Sequence, residues 1–157
     1  MAITGTTLEA ALDTLSATLA GLTPAKTATL PGGAVPVWHR SADPLPIETA
    51  SVAKLDRAFW WRQDAAVEPE YSFDDTRLVR DDLTLLVGVR KYQSPDERIE
   101  RENADARQLL GELRRASNRP SNVTVIDAEL RQPPLELRSG ETVLQIAVSI
   151  TYWRAFP

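Results

Sequence analysis

The segment TVLQIAVSITYW, residues 142–153, constrains this chain more than any other. Leu144, Ile146, Val148 and Ile150 fall on one side of an extended backbone, with Gln145, Ala147, Ser149 and Thr151 on the other. That period of two is the mark of a strand with one buried face. Such a strand needs pairing partners at its edges and a layer of structure over its apolar side. The stretch DLTLLVGVRKY repeats the pattern, with Leu83, Leu85, Val87 and Val89 opposite Thr84, Gly88 and Arg90. NVTVIDAEL, residues 122–130, reads as a further strand. RQPPLELRSGE after it reads as a loop, since two prolines and a glycine do not suit a central strand. The last two strands are separated by a loop of about ten residues and are expected to form an antiparallel hairpin.

The covering layer is legible as two helices. In SPDERIE, Ser94 is placed to cap, Pro95 to take the first helical position, and Asp96 and Glu97 to load the positive end, with Glu97 completing a capping box. The apolar stripe of this helix runs through Ile99, Ala106, Leu110 and Leu113, interrupted by Asn103. Arg114 and Arg115 suit its negative end, and SNRP stops it. Nearer the N-terminus, Thr6 and Glu9 have capping-box spacing, and Leu8, Leu12, Leu15, Leu19 and Leu22 form one stripe ended by Gly21 and Pro24. That stripe either lies on the sheet or is a self-association face. The expected architecture is α+β: a mixed, mainly antiparallel sheet, with the N-terminal helix and the long helix packed on one face. The strand–helix–strand unit would be a right-handed crossover if its strands are parallel.

Residues 34–82 read as a variable insertion and loop region inside one domain spanning 1–157. Val35, Val37 and Trp38 could form a short strand, which Pro36 confines to a sheet edge. Val52, Leu55 and Phe59 step at helical spacing, but Phe59, Trp60 and Trp61 in succession favour a strand over 55–63. AAVEPEYSFDDTRLVRDD then reads as a long acidic loop carrying Asp74, Asp75, Asp81 and Asp82. Adjacent tryptophans on a strand point to opposite sides, so one enters the core and the other meets solvent, a second layer or a partner. Trp, Tyr and Arg are enriched at interface hot spots. Phe59, Trp60, Trp61, Tyr71, Phe73, Trp153 and Phe156 are therefore the candidate interface residues. Tyr152, Trp153 and Phe156 either cap the core at a sheet corner or bury against another subunit.

Composition and motifs exclude most chemistry. The chain has no cysteine, hence no disulfide, thiolate metal site or cysteine nucleophile, and this fits a reducing cytosol or a particle assembled there. With 43% hydrophobic and 25% charged residues it has the make-up of a soluble globular domain. A net charge of -4 without a Lys/Arg block argues against a dedicated nucleic-acid binder. The N-terminal stretch lacks the features of a signal peptide, and no run is long enough for a membrane span. His39, the only histidine, stands beside Trp38 in a segment expected at the sheet edge, with no nucleophile elbow in the sequence. LPGGAVP is a turn rather than a phosphate loop, and neither Asp-Asp pair has calcium-loop spacing. Glu97 with Arg101, and Arg98 with Glu102, have the spacing of ion pairs on a solvated helix face. No catalytic, cofactor-binding or metal-binding residue is assigned, and the chain is not expected to be an enzyme.

One resemblance emerges from the order of these elements. An N-terminal helix, a Pro/Gly-rich segment, the strand LTLLVGVRKY, a charged helix, a strand, and a closing hairpin announced by SGETVLQIAVSITY resemble the tail terminator or tail-completion proteins of long-tailed bacteriophages. The likeness covers roughly Leu83 to Trp153, and the N-terminal helix loosely. It implies a small α+β subunit that forms a ring, typically a hexamer, caps the tail tube, and joins it to the head-side connector. The implied partners are further copies of the chain, the tail tube protein, and the connector or stopper protein. Genome DNA would pass through without specific binding, helped by an acidic inner surface, and no membrane is involved. The implied location is the virion tail or neck, after synthesis in the host cytoplasm. Two other readings of the same pattern are another head–tail joining or baseplate adaptor subunit, and a non-viral cytosolic α+β binding module.

Overall fold

The computed structural model describes residues 5–26, 37–42, 44–45, 56–67, 72–73, 75–90, 94–137 and 140–155, without the side chains of Val67 and Phe73. Its elements are α1 (Leu8–Ala20), β1 (His39–Arg40), β2 (Ala58–Val67), β3 (Ser72–Phe73), β4 (Thr76–Val89), α2 (Pro95–Arg114), a 3-10 turn (Ala116–Asn118), β5 (Val123–Glu136) and β6 (Thr142–Ala155). The strands form one sheet in the order β1–β2–β4–β6–β5, with β3 pairing β4 beyond the end of β2. β1 runs parallel to β2, and every other pairing is antiparallel. β4 and β5 therefore run parallel with β6 between them. This is the α+β, mixed but mainly antiparallel sheet expected from the sequence.

The alternating strands act as their pattern requires. Leu83, Leu85, Val87 and Val89 of β4 and Leu144, Ile146, Val148 and Ile150 of β6 join Phe59 and Trp61 in one core. Leu12, Leu15 and Leu19 of α1 and Ala106, Leu109 and Leu113 of α2 cover it, with Leu8 and Leu22 packed alongside. Both helices thus lie on one face, and the leucine stripe of α1 is spent inside the subunit. The opposite face carries a smaller cluster of Leu45, Ala58, Leu86, Leu137 and Val143, with Trp60 and Leu135 packed against it.

The C-terminal strand is tied down on both sides. β4 pairs with it along its whole length, up to Thr76 opposite Ala155. On the other side Trp153 donates its N–H to the Asn122 carbonyl and accepts at its own carbonyl from Thr6 N–H at 2.7 Å. The approach leaves no room at Gly5, where a Cβ would stand 2.2 Å from the Ala155 nitrogen. Because Thr6 is drawn to the sheet, the cap of α1 is Thr7, whose hydroxyl accepts from Ala10 N–H at 3.1 Å. This replaces the capping box expected from Thr6 and Glu9.

Three further expectations are corrected. The long acidic loop is largely strand: β2 continues to Val67, and β4 begins at Thr76, so Asp81 and Asp82 lie within β4. β5 runs through Pro133 and Pro134 to Glu136 instead of ending near Leu130. It can do so because it is the edge strand, where a missing N–H deprives no neighbour, and the register shifts between Arg131 and Leu135. The α2 stripe has a different phase, since Ile99 is 49% exposed and the buried residues are Arg101, Asp105, Ala106, Leu109 and Leu113. Val35, Val52 and Leu55 lie outside the described residues.

That phase puts charge in the interior. Arg101 is not on a solvated face: its guanidinium holds Asp56 at 2.7 Å and Asp105 at 2.6 Å. Arg57 closes the group on Asp105 at 3.2 Å, reaches the Lys26 carbonyl, and lies 5.3 Å from the Trp38 ring centroid. All four charged side chains are essentially inaccessible. Arg57 adopts a left-handed backbone, φ 60, at a cost of about 1–2 kcal/mol. Its backbone is fixed there by Gly88 and His39. Arg98 and Glu102, by contrast, form the expected pair at 3.6 Å at the rim of the helix, partly buried but still reached by water. Removing one member of a buried pair strands its partner, whereas surface pairs contribute little. Arg101→Ala is therefore expected to lower the unfolding free energy by about 3–5 kcal/mol, and Arg98→Ala by less than about 1 kcal/mol. Urea unfolding of both variants measures the contrast; equal effects would contradict it.

Candidate assembly surface

The sheet face away from the helices is built from the residues that alternate with the core. In register across β2, β4, β6 and β5, Arg62, Thr84, Ala147 and Glu129 form one row. Trp60, Leu86, Gln145 and Arg131 form the next, and Asp82, Ser149 and Asp127 lie on the other side. An open groove of about 730 Å³ runs along β4, β6 and β5, lined by Asp82, Asp127, Glu129, Arg131 and Ser149 among others.

Thr84 organises the row. Fully buried, it donates to Asp64 at 2.6 Å and accepts from Arg62 at 3.3 Å and from Arg131 at 3.1 Å. The small Ala147 between Thr84 and Glu129 in register lets Arg131 cross β6 to reach it. Partial burial works to raise the Asp64 carboxyl. The Thr84 hydroxyl, then the hydrogen bond and charge of Arg62, then the charge of Arg131 outweigh it and hold Asp64 below its ordinary value of 3.8. Asp82 accepts from Ser149, and Asp81 accepts from Tyr152 at 2.7 Å and from Gln63 at 3.0 Å. Asp127 and Glu129 are exposed and make no ion pair with a described residue.

The sheet has two unlike edges. Trp153 directs its N–H and carbonyl toward the β5 side of β6, and by alternation so do Ser149 and Ala147. Asp127 and Glu129 therefore face β6, while Ile126, Ala128 and Leu130 direct their backbone groups outward. Arg114 confirms the direction: its Nε donates to the Ala128 carbonyl at 3.0 Å, and its Nη2 to the same oxygen. At the other side, His39 and Ser41 take the outward carbonyls of Arg57 and Phe59. Beyond them no described residue pairs with β2, whose Arg62–Ala66 stretch is exposed.

The aromatic candidates divide. Phe59 and Trp61 are core residues, and the Trp61 indole N–H donates to Ser16 at 2.9 Å. Trp60 faces the other way, half-buried over the smaller cluster. Trp153 is half-buried on the same open face. Tyr71, Asp74 and Phe156 lie outside the described residues, and the Phe73 side chain is not described. Asp75 is exposed in the turn before β4. His39 is half-buried at the β1 edge, its Nδ1 3.0 Å from the Val37 carbonyl oxygen. The sequence reading missed Arg62, Thr84, Glu129 and Arg131 as a group, because their neighbourhood exists only once the register is known. Among the described residues no group of three or more metal-ligating side chains is placed to hold an ion, and no helix is long and apolar enough to cross a membrane. Neither a scan against protein-family models nor a search among curated proteins finds a match.

Because Asp64 is held low in the folded chain, its contribution to stability is complete above the ordinary carboxylate range and is lost as pH falls through its folded value. Thr84→Val removes the hydroxyl that helps hold it there. The variant is expected to raise the Asp64 pKa toward the ordinary value, as read by NMR titration of its carboxyl carbon. An unchanged titration would contradict this account of the row.

Proposed function

We propose that the chain is a structural subunit of a bacteriophage tail or neck, forming a ring that caps the tail tube and joins it to the head-side connector. The observation that carries the reading is a pair of unlike sheet edges, the outer side of β5 and the stretch of β2 beyond β1, with which no described residue pairs. A closed ring needs a head-to-tail contact between two different patches of each subunit, and these edges supply two. The order of elements that resembles tail terminators supports the same reading.

The open face supports it in charge as well. Asp64, Asp82, Asp127 and Glu129 stand there against Arg62, Arg80 and Arg131, one more acid than base. Should this face line the ring, its slight acidic excess would add no net attraction for phosphates, in keeping with DNA that passes without specific binding. The partners in this reading are other copies of the chain, the tube protein and the connector, and the chemistry is assembly rather than catalysis.

Light scattering across a concentration series, with negative-stain imaging of the largest species, tests the proposal. The expected result is a closed ring of about six subunits with a central hole, given the cyclic symmetry such contacts generate. A strict monomer at every concentration, also in the presence of tail tubes, would overturn it.

A further inference from the structure

We propose that the outer edge of β5 receives the outer edge of β2 from a second copy of this chain, and that Arg114 gates the joint. The inference rests on the ring reading above and goes beyond it by naming the strands, their register and the gate. Within the sheet β2 is antiparallel to β4, β4 to β6, and β6 to β5. A copy placed head to tail in the same orientation therefore brings its β2 antiparallel to β5. Continuing the rows across the joint sets Glu129 beside Arg62 of the next copy, and Arg131 beside its Trp60. The first is an acid–base pair and the second a cation over an indole. The parity also agrees. Ala128 and Leu130 direct their backbone groups outward from β5, and Gln63 and Trp61 direct theirs outward from β2, so donors meet acceptors in this register.

The side chains that would meet are accessible. Glu129 is exposed without an ion-pair partner among the described residues, and 45% of the Arg62 side chain is open to solvent. The prolines of β5 and its register shift lie beyond Arg131, and β2 bulges between Gln63 and Ala65, which leaves Ala128–Arg131 against Trp60–Gln63 as the pairing segment. A long unpaired edge invites indiscriminate pairing, and proteins commonly blunt it with a charged side chain. Here Arg114, at the C-terminal end of α2, places two of its guanidinium donors on the Ala128 carbonyl within that segment. An incoming strand needs this acceptor, so Arg114 must swing away before the joint forms. The free subunit is thereby kept from joining until a correctly placed copy competes for the edge.

The absence of native cysteine makes a direct test available. Facing positions in a non-hydrogen-bonded antiparallel pair have Cα atoms about 4.5 Å apart, within disulfide reach. Inside one subunit Glu129 and Arg62 are separated by three strand spacings, roughly 14 Å, beyond that reach. The chain carrying both Glu129→Cys and Arg62→Cys is therefore expected to give, on mild oxidation, a covalent ladder of trimers and larger species. Each single variant can give dimers at most. Adding Arg114→Ala is expected to speed the ladder about fivefold, the weight of one net hydrogen bond. Circular dichroism and thermal unfolding verify that each variant is folded.

A folded triple variant that yields nothing beyond the species of the single variants overturns the strand assignment. If the unmodified chain still shows rings by negative stain, the ring reading survives that failure. A ladder that forms at the same rate with and without Arg114 overturns the gate.

Discussion

The structure depends on a group of four buried charges. Asp56 and Arg57 precede β2, Arg101 and Asp105 lie on the inner side of α2, and together they carry no net charge. Removing ions from water costs several kcal/mol each, returned only when every partner is in place. The group therefore works less as a source of stability than as a positional constraint. If α2 turned about its axis or slid by one residue, Arg101 would leave Asp56 unpaired in the interior. The same group reaches the chain after α1, through Arg57 and the Lys26 carbonyl, and stacks on Trp38 just before β1. One constraint thus sets the long helix, the entry to β2 and the segment that follows the first helix.

Its consequence is asymmetry. Both described helices lie on one face, and the other face of the sheet carries strand side chains together with Leu45 and Leu137. At one end those side chains are apolar, with Trp60 packed against them. At the centre they are charged and organised by Thr84. The same arrangement leaves β5 at one edge and the far part of β2 at the other, without the symmetry that would let a single patch meet itself. The proposed head-to-tail joint would use both of these edges, and the assembly proposal rests on that geometry together with the order of elements along the chain.

What the sequence disclosed was what is local. The period of two in β4 and β6 gave their buried faces residue by residue, and Ser94 with Pro95 marked the start of α2, where the Ser94 hydroxyl accepts from Glu97 N–H at 3.5 Å. What it concealed depends on distant partners. Arg101 and Asp105 have the spacing of a surface ion pair, and nothing nearby says that Asp56 will meet them. A signal was present, since stepping back by fours from Leu113 through Leu109 arrives at Asp105 and Arg101. Asp81 and Asp82 resembled loop residues because their partners, Tyr152, Gln63 and Ser149, lie on other strands. The prolines of β5 look like a stop in the sequence because edge and central strands differ only in neighbours that a sequence does not show. The open-face row around Thr84 was invisible for the same reason.

The central claim is that the two outer edges of this sheet are its joining surfaces. Hydrogen–deuterium exchange compared between the free subunit and the assembled species tests it most directly. The account predicts new protection at Ala128 and Leu130 on β5 and at Trp61 and Gln63 on β2, with Asp127 and Glu129 unchanged because they already bond to β6. Protection gained instead on the outer surfaces of α1 and α2, with the edge amides exchanging as before, would contradict it.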